Sequence, residues 1–585
     1  MKRCAIRTGA AVLAMALAGP AMAACKVGKI AELPVTLIGQ RAMVQAKFGD
    51  RPTQFILDSG AFYSTISRAT AAEFKLEDKA LPPWFRVTGV NGDATASAAV
   101  ARNFSLAGIA LPKVDFIVAG TDTGTAGLIG QNILGLADVE YDLPHGTVRL
   151  LKVQGCADTA LAYWAQGKPF STLKLEAGNG GPWKPPTVAT VLVNGVKLRA
   201  EFDTGAQTTV MTLSAAKRAG ITPNSPGVVQ VGRGSGLGSR EVRTWLAPFE
   251  QIDIGGEIVP RPKLRISDIH MNADMLIGFD FFLTHRVFVS NVQHMLYMTY
   301  EGGSVFGINP SGARTTSGEK LDLTDSAAAP TDAEGYARRG AVEMSRQHMA
   351  EGLADFDKAV AMAPTEGRYL VLRAQARLAN RQLLLAAADL DKAATLMPND
   401  PDVRLSRASL RLANHDPDGA AEEVAAADTL LAPGSDRRLR LAGLYDSLDK
   451  PEAAIANYDA WLKLHGQDAD RAVAYNGRCW ARATQGRDLD KALSDCNTAL
   501  RLRPGTAAYL DSRALVNLRL NKLDAALDDY DAALKGRPHD AWILYARSIA
   551  ASRAGRADQA AADRKAALAI NPNIAKRATR YGLER

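Results

Sequence analysis

Two short segments of this 585-residue chain repeat one another, and each runs an apolar stretch into a carboxylate: Phe55-Ile56-Leu57-Asp58-Ser59-Gly60-Ala61 and Ala200-Glu201-Phe202-Asp203-Thr204-Gly205-Ala206. Carboxyl groups do general acid–base work, and two held side by side cannot both ionise, so such a pair offers one acid and one base. Each segment has a partner downstream, Gly127-Leu128-Ile129-Gly130-Gln131-Asn132 and Met275-Leu276-Ile277-Gly278-Phe279-Asp280, with 72 and 75 residues from the aspartate to Gly130 and to Gly278. Both halves of the pattern recurring at nearly one spacing mark a duplicated domain. A third triplet, Asp122-Thr123-Gly124, follows Ala119-Gly120-Thr121 rather than an apolar strand and stands too close to Ile129-Gly130 to head its own lobe, so Asp122 reads as a loop residue.

The elements that must position these aspartates are strands. Val35–Leu37, Ala42–Phe48 and Thr187–Val193 alternate apolar and polar residues, and Gly49-Asp50, Asn91-Gly92, Asn194-Gly195 and Gly255-Gly256 punctuate them as hairpin turns. The pattern predicts two small barrels, over 25–155 and 156–301. Between its two motifs each lobe has a further hairpin: Phe85 to Gly92, with Gly89 and Gly92, and Val229 to Arg243, with Gly232, Gly234, Gly236 and Gly238. Mobile glycine-rich hairpins suit a lid over an extended peptide; a solvated loop is the competing reading. Neither G-x-G-x-x-G nor G-x-x-x-x-G-K-[ST] occurs, so the glycines are not a phosphate cradle.

On these residues the sequence resembles the retropepsin-like aspartic proteases, over roughly 28–300. Each lobe of that family carries apolar-x-Asp-[Ser/Thr]-Gly-Ala and a later apolar-apolar-Gly segment that passes beneath the aspartate turn. The resemblance implies that Asp58 and Asp203 form a catalytic dyad, its carboxylates about 3 Å apart and sharing a proton. The ionised member takes a proton from a water held between the two, the water attacks the peptide carbonyl, and the other carboxyl is the acid toward oxyanion and leaving amine. It further implies that Ser59 and Thr204 brace the paired loops, that Gly60, Ala61, Gly205 and Ala206 shape them, that Gly130 and Gly278 support them from below, and that the two hairpins are flaps.

Composition changes near 302–332, where Gly302-Gly303-Ser304, Pro310-Ser311-Gly312 and Ala327-Ala328-Ala329-Pro330 read as a linker. Thr331 with Glu334 spells a capping box, predicting a helix start. Downstream, prolines at 364, 398, 433, 504, 538 and 572 are separated by 34, 35, 71, 34 and 34 residues, the longest gap being two periods. Ala514, Ala526 and Ala533 fall where two antiparallel helices approach closely, with Leu510 and Tyr530 beside them and Pro538 ending the unit; Leu544, Ala560, Ala567 and Pro572 repeat the scheme. The pattern resembles tetratricopeptide repeats, about seven helix pairs within 333–585, and implies a surface for a protein partner. The match weakens at 434–468, which lacks a terminal proline, and at Arg564, where an aromatic or Leu is usual.

Lys2, Arg3 and Arg7 precede an apolar run from Ala10 to Leu17 and the small-residue site Ala21-Met22-Ala23, so residues 1–23 read as a secretory signal peptide and the bacterial periplasm as the destination. Acylation of Cys25, a membrane tether, is the alternative. Losing three positive charges with that leader takes the formal +8 to +5, too little over such a length for a nucleic-acid partner. With 47% apolar and 23% charged residues, wholesale disorder and polytopic membrane architecture are excluded. Cys25, Cys156, Cys479 and Cys496 remain, with expected pairings Cys25–Cys156 and Cys479–Cys496; buried thiols are the competing reading. No C-x-x-C, H-x-x-x-H or G-x-S-x-G occurs, so no metal, cofactor or serine nucleophile is expected. The sequence therefore describes a multidomain chain, an all-β double barrel followed by an all-α solenoid. It is read as an exported aspartic endopeptidase acting on peptide or protein, with a non-catalytic peptide-binding scaffold as the second reading. Whether each lobe pairs within the chain or with a second copy stays open.

Overall fold

The structure is a computed structural model that describes residues 25–584 apart from 39–40, 83–84, 90–91, 120–124, 158, 168, 177–185, 235–241, 303–304, 307–329, 346–347, 467 and 469. The expected signal peptide, the Asp122 triplet and most of the linker lie outside the described residues.

In the first lobe, strands Ala42–Phe48 and Arg51–Leu57 form a hairpin over Gly49, whose φ of 60° a side chain would disfavour. The second strand carries Phe55 and Leu57 into the core and ends just before Asp58, which is itself buried. Phe55 meets Phe104 edge to face at 5.6 Å, and burying such a ring is worth roughly 2–3 kcal/mol. The short strand Gly127–Ile129 runs parallel to Arg51–Leu57, with Ile129 opposite Leu57, and antiparallel to Thr65–Ile66. It is thereby threaded between the two arms of the Asp58 turn. The second lobe repeats this: Met275–Ile277 is parallel to Val196–Phe202, with Ile277 opposite Phe202, and antiparallel to Val210–Thr212.

The lobes share a continuous sheet. Asp138–Asp142 of the first pairs antiparallel with His285–Ser290 of the second, Tyr141 opposite Val287. Glu140, fully buried at that seam, accepts from Arg286 at 2.8 Å and also from Arg149 and Tyr163, so the charge it brings inside is matched. A disulfide between Cys25 and Cys156 joins the start of Lys26–Leu37 to the chain just beyond Thr147–Gln154.

From Ala333–Ser345 to Ala557–Ile570 the chain forms seven antiparallel helix pairs among the described residues, followed by the short helix Ile574–Arg580. The first cap falls one residue later than the sequence indicates. Asp332, not Thr331, accepts the N3 amide of Gly335 at 2.6 Å, while Glu334 accepts from Arg368 and the Tyr369 hydroxyl on the next helix pair. Ala514, Ala526, Ala533 and Tyr530 are fully buried in their unit's seam, as their spacing implied. An arginine on the first helix of most pairs grips a buried carboxylate sixteen residues on: Arg339–Asp355, Arg373–Asp389, Arg407–Glu423, Arg513–Asp529 and Arg547–Asp563. Several of these arginines also reach back sixteen residues to the preceding pair, Arg373 to Asp357 and Arg547 to Asp531, so neighbouring repeats are stitched by one guanidinium. In the atypical unit Leu441 and Asn457 hold those places; Arg438 bonds Asn457 instead, and His465, stacked on Trp461, closes the unit against Asp436 at 2.6 Å. Cys479 and Cys496 are disulfide-bonded across one pair. No helix among the described residues is long and apolar enough to cross a membrane.

Candidate active site

Because both aspartates leave strands at corresponding places, the two turns meet head to head. The Ser59 hydroxyl donates to the Phe202 carbonyl at 2.8 Å and accepts the Thr204 amide at 2.9 Å. Reciprocally, the Thr204 hydroxyl donates to the Leu57 carbonyl at 2.8 Å and accepts the Ser59 amide at 3.0 Å. Four hydrogen bonds thus cross the lobe boundary through two buried hydroxyls. They bring the Asp58 and Asp203 carboxyls into hydrogen-bond contact. The same closeness explains the glycines: a Cβ on Gly60 would collide with the Asp203 carboxylate, and one on Gly205 with that of Asp58.

Backbone amides orient each carboxylate. Asp58 accepts from Gly60 at 3.0 Å and Ala61 at 2.8 Å, and Asp203 from Gly205 at 2.8 Å, with the Ala206 amide also directed to it. Gly130 and Gly278 sit underneath, where any side chain would strike the backbone at Ala61 and Tyr63 or at Thr208. The residues after them hold the turns from below, the Gln131 amide donating to Ala61 at 2.8 Å and that of Phe279 to Ala206 at 2.7 Å.

Burial raises Asp58 well above the ordinary carboxylate range, with the charge of Asp203 adding to it. Burial raises Asp203 too, but hydrogen bonds from Asp58 and from the amides of Gly205, Ala206 and Gly60 work the other way. A pair in which one member resists ionising and donates to the other holds a single proton between them. Such a pair can activate a water on one side and protonate a leaving group on the other.

The hairpins also form. Arg86–Gly89 pairs with Gly92–Thr95, Gly89 opposite Gly92, and Val229–Gly234 pairs with Val242–Pro248, Gly234 opposite Val242; Gly236 lies outside the described residues. Val87 roots the first hairpin in a cluster with Phe62 and Tyr63, the residues that follow the Asp58 turn.

Three neighbours escaped the sequence reading. Gln131 donates from its side chain to the Ser59 carbonyl at 2.6 Å. Tyr141, delivered by the shared sheet, lies buried beside Ser59 under the dyad, and burial pushes its hydroxyl up. Glu201 stands two residues before Asp203, on the face of its strand opposite buried Ala200 and Phe202; burial and then the Asp203 charge push it up to about 8. The only local signal for any of them was a charged residue in an otherwise apolar pre-aspartate stretch, at Glu201. No group of His, Cys, Asp and Glu among the described residues is arranged to hold a metal ion.

Residues 44–133 and 189–281 each match the family described as aspartyl protease, so each match encloses one aspartate turn and its supporting glycine. Solved structures similar to the chain include a tetratricopeptide repeat protein from Parabacteroides merdae, at 15% identity and a TM-score of 0.35 over 43% of this chain and 98% of that one. Another is YrrB, described as a TPR protein with an unusual peptide-binding site, at 19% identity and TM-score 0.28 over 33% and 97%. A third is the Cut9–Hcn1 assembly, at 18% and 0.32 over 38% of this chain; the match spans 44% of that chain's length. No curated protein matches the chain.

Proposed function

We propose that this chain, which carries two tandem aspartyl-protease lobes followed by a tetratricopeptide-type solenoid, is an aspartic endopeptidase whose single active site is the Asp58/Asp203 pair. The observation that carries this reading is the reciprocal Ser59–Thr204 bracing, which holds the two carboxyls in contact within one molecule. With one proton on the pair, the ionised carboxylate draws a proton from the water between them as that water attacks the scissile carbonyl. The protonated carboxyl supports the developing oxyanion and then protonates the amine as the C–N bond breaks. The two hairpins close over an extended peptide backbone and keep other water out. The solenoid serves as the surface for a protein partner.

The same reading takes residues 1–23 as a leader removed on export to a bacterial periplasm, a compartment that suits two disulfides. Engagement of Cys25 with Cys156 speaks against its acylation. Cell fractionation and the mass of the mature N-terminus test that part. The activity is tested by incubating an unstructured protein with mature chain across pH 4–8, beside Asp58→Asn and Asp203→Asn. Loss of cleavage in either variant alone supports one shared site. Cleavage that survives one substitution means that each lobe works with a second copy, and a wild type that never cleaves favours the peptide-binding scaffold.

A further inference from the structure

The solenoid carries a polar cavity of about 320 Å³ between the first helices of its last four pairs and the closing helix Ile574–Arg580. Asp446, Asn476, Trp480, Asp511, Trp542 and Arg577 line it. Asp511 is 7% exposed, and one of its carboxylate oxygens has no hydrogen-bond partner, although the Trp542 indole N–H, also unpaired, is directed at the group; the side-chain oxygen of Asn476 is buried without a partner too. Burying an acceptor without a donor costs about 1–3 kcal/mol, more for a charge, so two of them in one cavity mark an unfilled requirement.

The charges point the same way. Asp540 is occupied, capping Trp542 and Ile543 with one oxygen and pairing with Arg537 at 3.4 Å through the other. Asp446 accepts only the Tyr458 hydroxyl, at 2.8 Å, and neither it nor Asp511 has an ion-pair partner among the described residues. Burial holds both near 7. Against these two carboxyls the cavity has one further cation, Arg577, whose guanidinium lies 4.4 Å from the centre of the Trp542 ring and 5.3 Å from that of Trp480. With both carboxyls ionised, the balance is one negative charge, next to acceptor oxygens that make no hydrogen bond and to indole faces that already stack a guanidinium.

We infer that this cavity is a binding site for the arginine side chain of an extended polypeptide, its guanidinium donating to Asp511 and Asn476 and lying against Trp480. The inference does not rest on the protease reading, and its test is run on a chain that cannot cleave by the proposed dyad. Full-length mature protein carrying Asp58→Asn is titrated with acetyl-Ala-Ala-Arg-Ala-Ala-amide and with the citrulline analogue, which keeps shape and loses charge, by calorimetry and tryptophan fluorescence. Saturable binding of the arginine peptide below about 1 mM is expected, weakened at least about tenfold by citrulline and equally by a further Asp511→Asn. No binding of the arginine peptide, equal binding of both peptides, or unchanged affinity in folded Asp511→Asn overturns the inference. Should Asp511→Asn fail to fold by circular dichroism, Asp446→Asn takes its place with the same two outcomes.

Discussion

In the first lobe Gly130 is followed by Gln131 and Asn132; in the second Gly278 is followed by Phe279 and Asp280. Asn132 accepts the Ser64 amide and hydroxyl, both at 2.7 Å, and Asp280 accepts the Thr209 amide at 2.8 Å and hydroxyl at 2.7 Å. The geometry is the same and the charge is not. A carboxylate does in the second lobe what a neutral amide does in the first, and burial pushes Asp280 up to about 6. Ile56 and Glu201 form a second such mismatch, at the position two before each aspartate. The comparison separates what the site requires twice, the aspartate, the hydroxyl and the two glycines, from what each lobe supplies in its own way.

The required pair gives the largest expected effect. Asp58→Asn and Asp203→Asn should each lower kcat/KM by about 10²–10⁴-fold or more in a peptide-cleavage assay, and by similar factors, because in the proposed mechanism neither carboxyl acts alone. A variant retaining near wild-type rate would break the equivalence of the lobes. Next come the bracing hydroxyls. Ser59→Ala and Thr204→Ala each remove two buried hydrogen bonds across the boundary, about 2–4 kcal/mol in denaturant unfolding, and Thr204→Ser should restore most of it. Very unequal losses would mean that one lobe's turn is held by other contacts.

Asp280→Asn gives the second lobe the first lobe's solution. A group raised from 3.8 to about 6 on folding favours the protonated native state. Its contribution is fully present below the unfolded value and is lost as pH rises through the folded one, leaving a penalty of about 2–3 kcal/mol at neutral pH. The amide substitution should therefore raise Tm at pH 7–8 and flatten the slope of stability between about pH 4 and 6. The reverse exchange, Asn132→Asp, should lower Tm at neutral pH. An unchanged Tm in both would remove the charge difference as the meaning of this pair.

The pairing of the two aspartate turns was legible because its grammar is contiguous: four residues fix the turn, and the duplication supplies its own check. The solenoid was legible from proline spacing and the small residues repeated within each unit. Tyr141 was not, because it reaches the dyad through pairing of Asp138–Asp142 with a strand nearly 150 residues away, and no local pattern carries that contact. The arginine–carboxylate stitches were present in the sequence at sixteen-residue spacing, but an exposed helix face also accumulates Arg and Asp, and only burial of the acids distinguishes them. Thr331 and Asp332 are both competent caps, and backbone geometry decided for Asp332.

The smallest expected effect belongs to Glu201, where the first lobe has Ile56. Its charge is last among the causes that raise Asp58, and the charge of Asp203 in turn raises Glu201. On the proposed mechanism activity requires one proton on the pair and is lost as pH rises and that proton leaves. An ionising Glu201 opposes the departure, since it adds a third negative charge beside the pair. Glu201→Gln should therefore move the alkaline limb of kcat/KM to lower pH while leaving the plateau rate nearly intact. Ile56→Gln, which places the same amide in the other lobe where no charge stood, should leave that limb in place. A limb that moves equally in both variants would assign the effect to packing beside the aspartates rather than to charge, and the lobes would then differ in side-chain volume alone at this position.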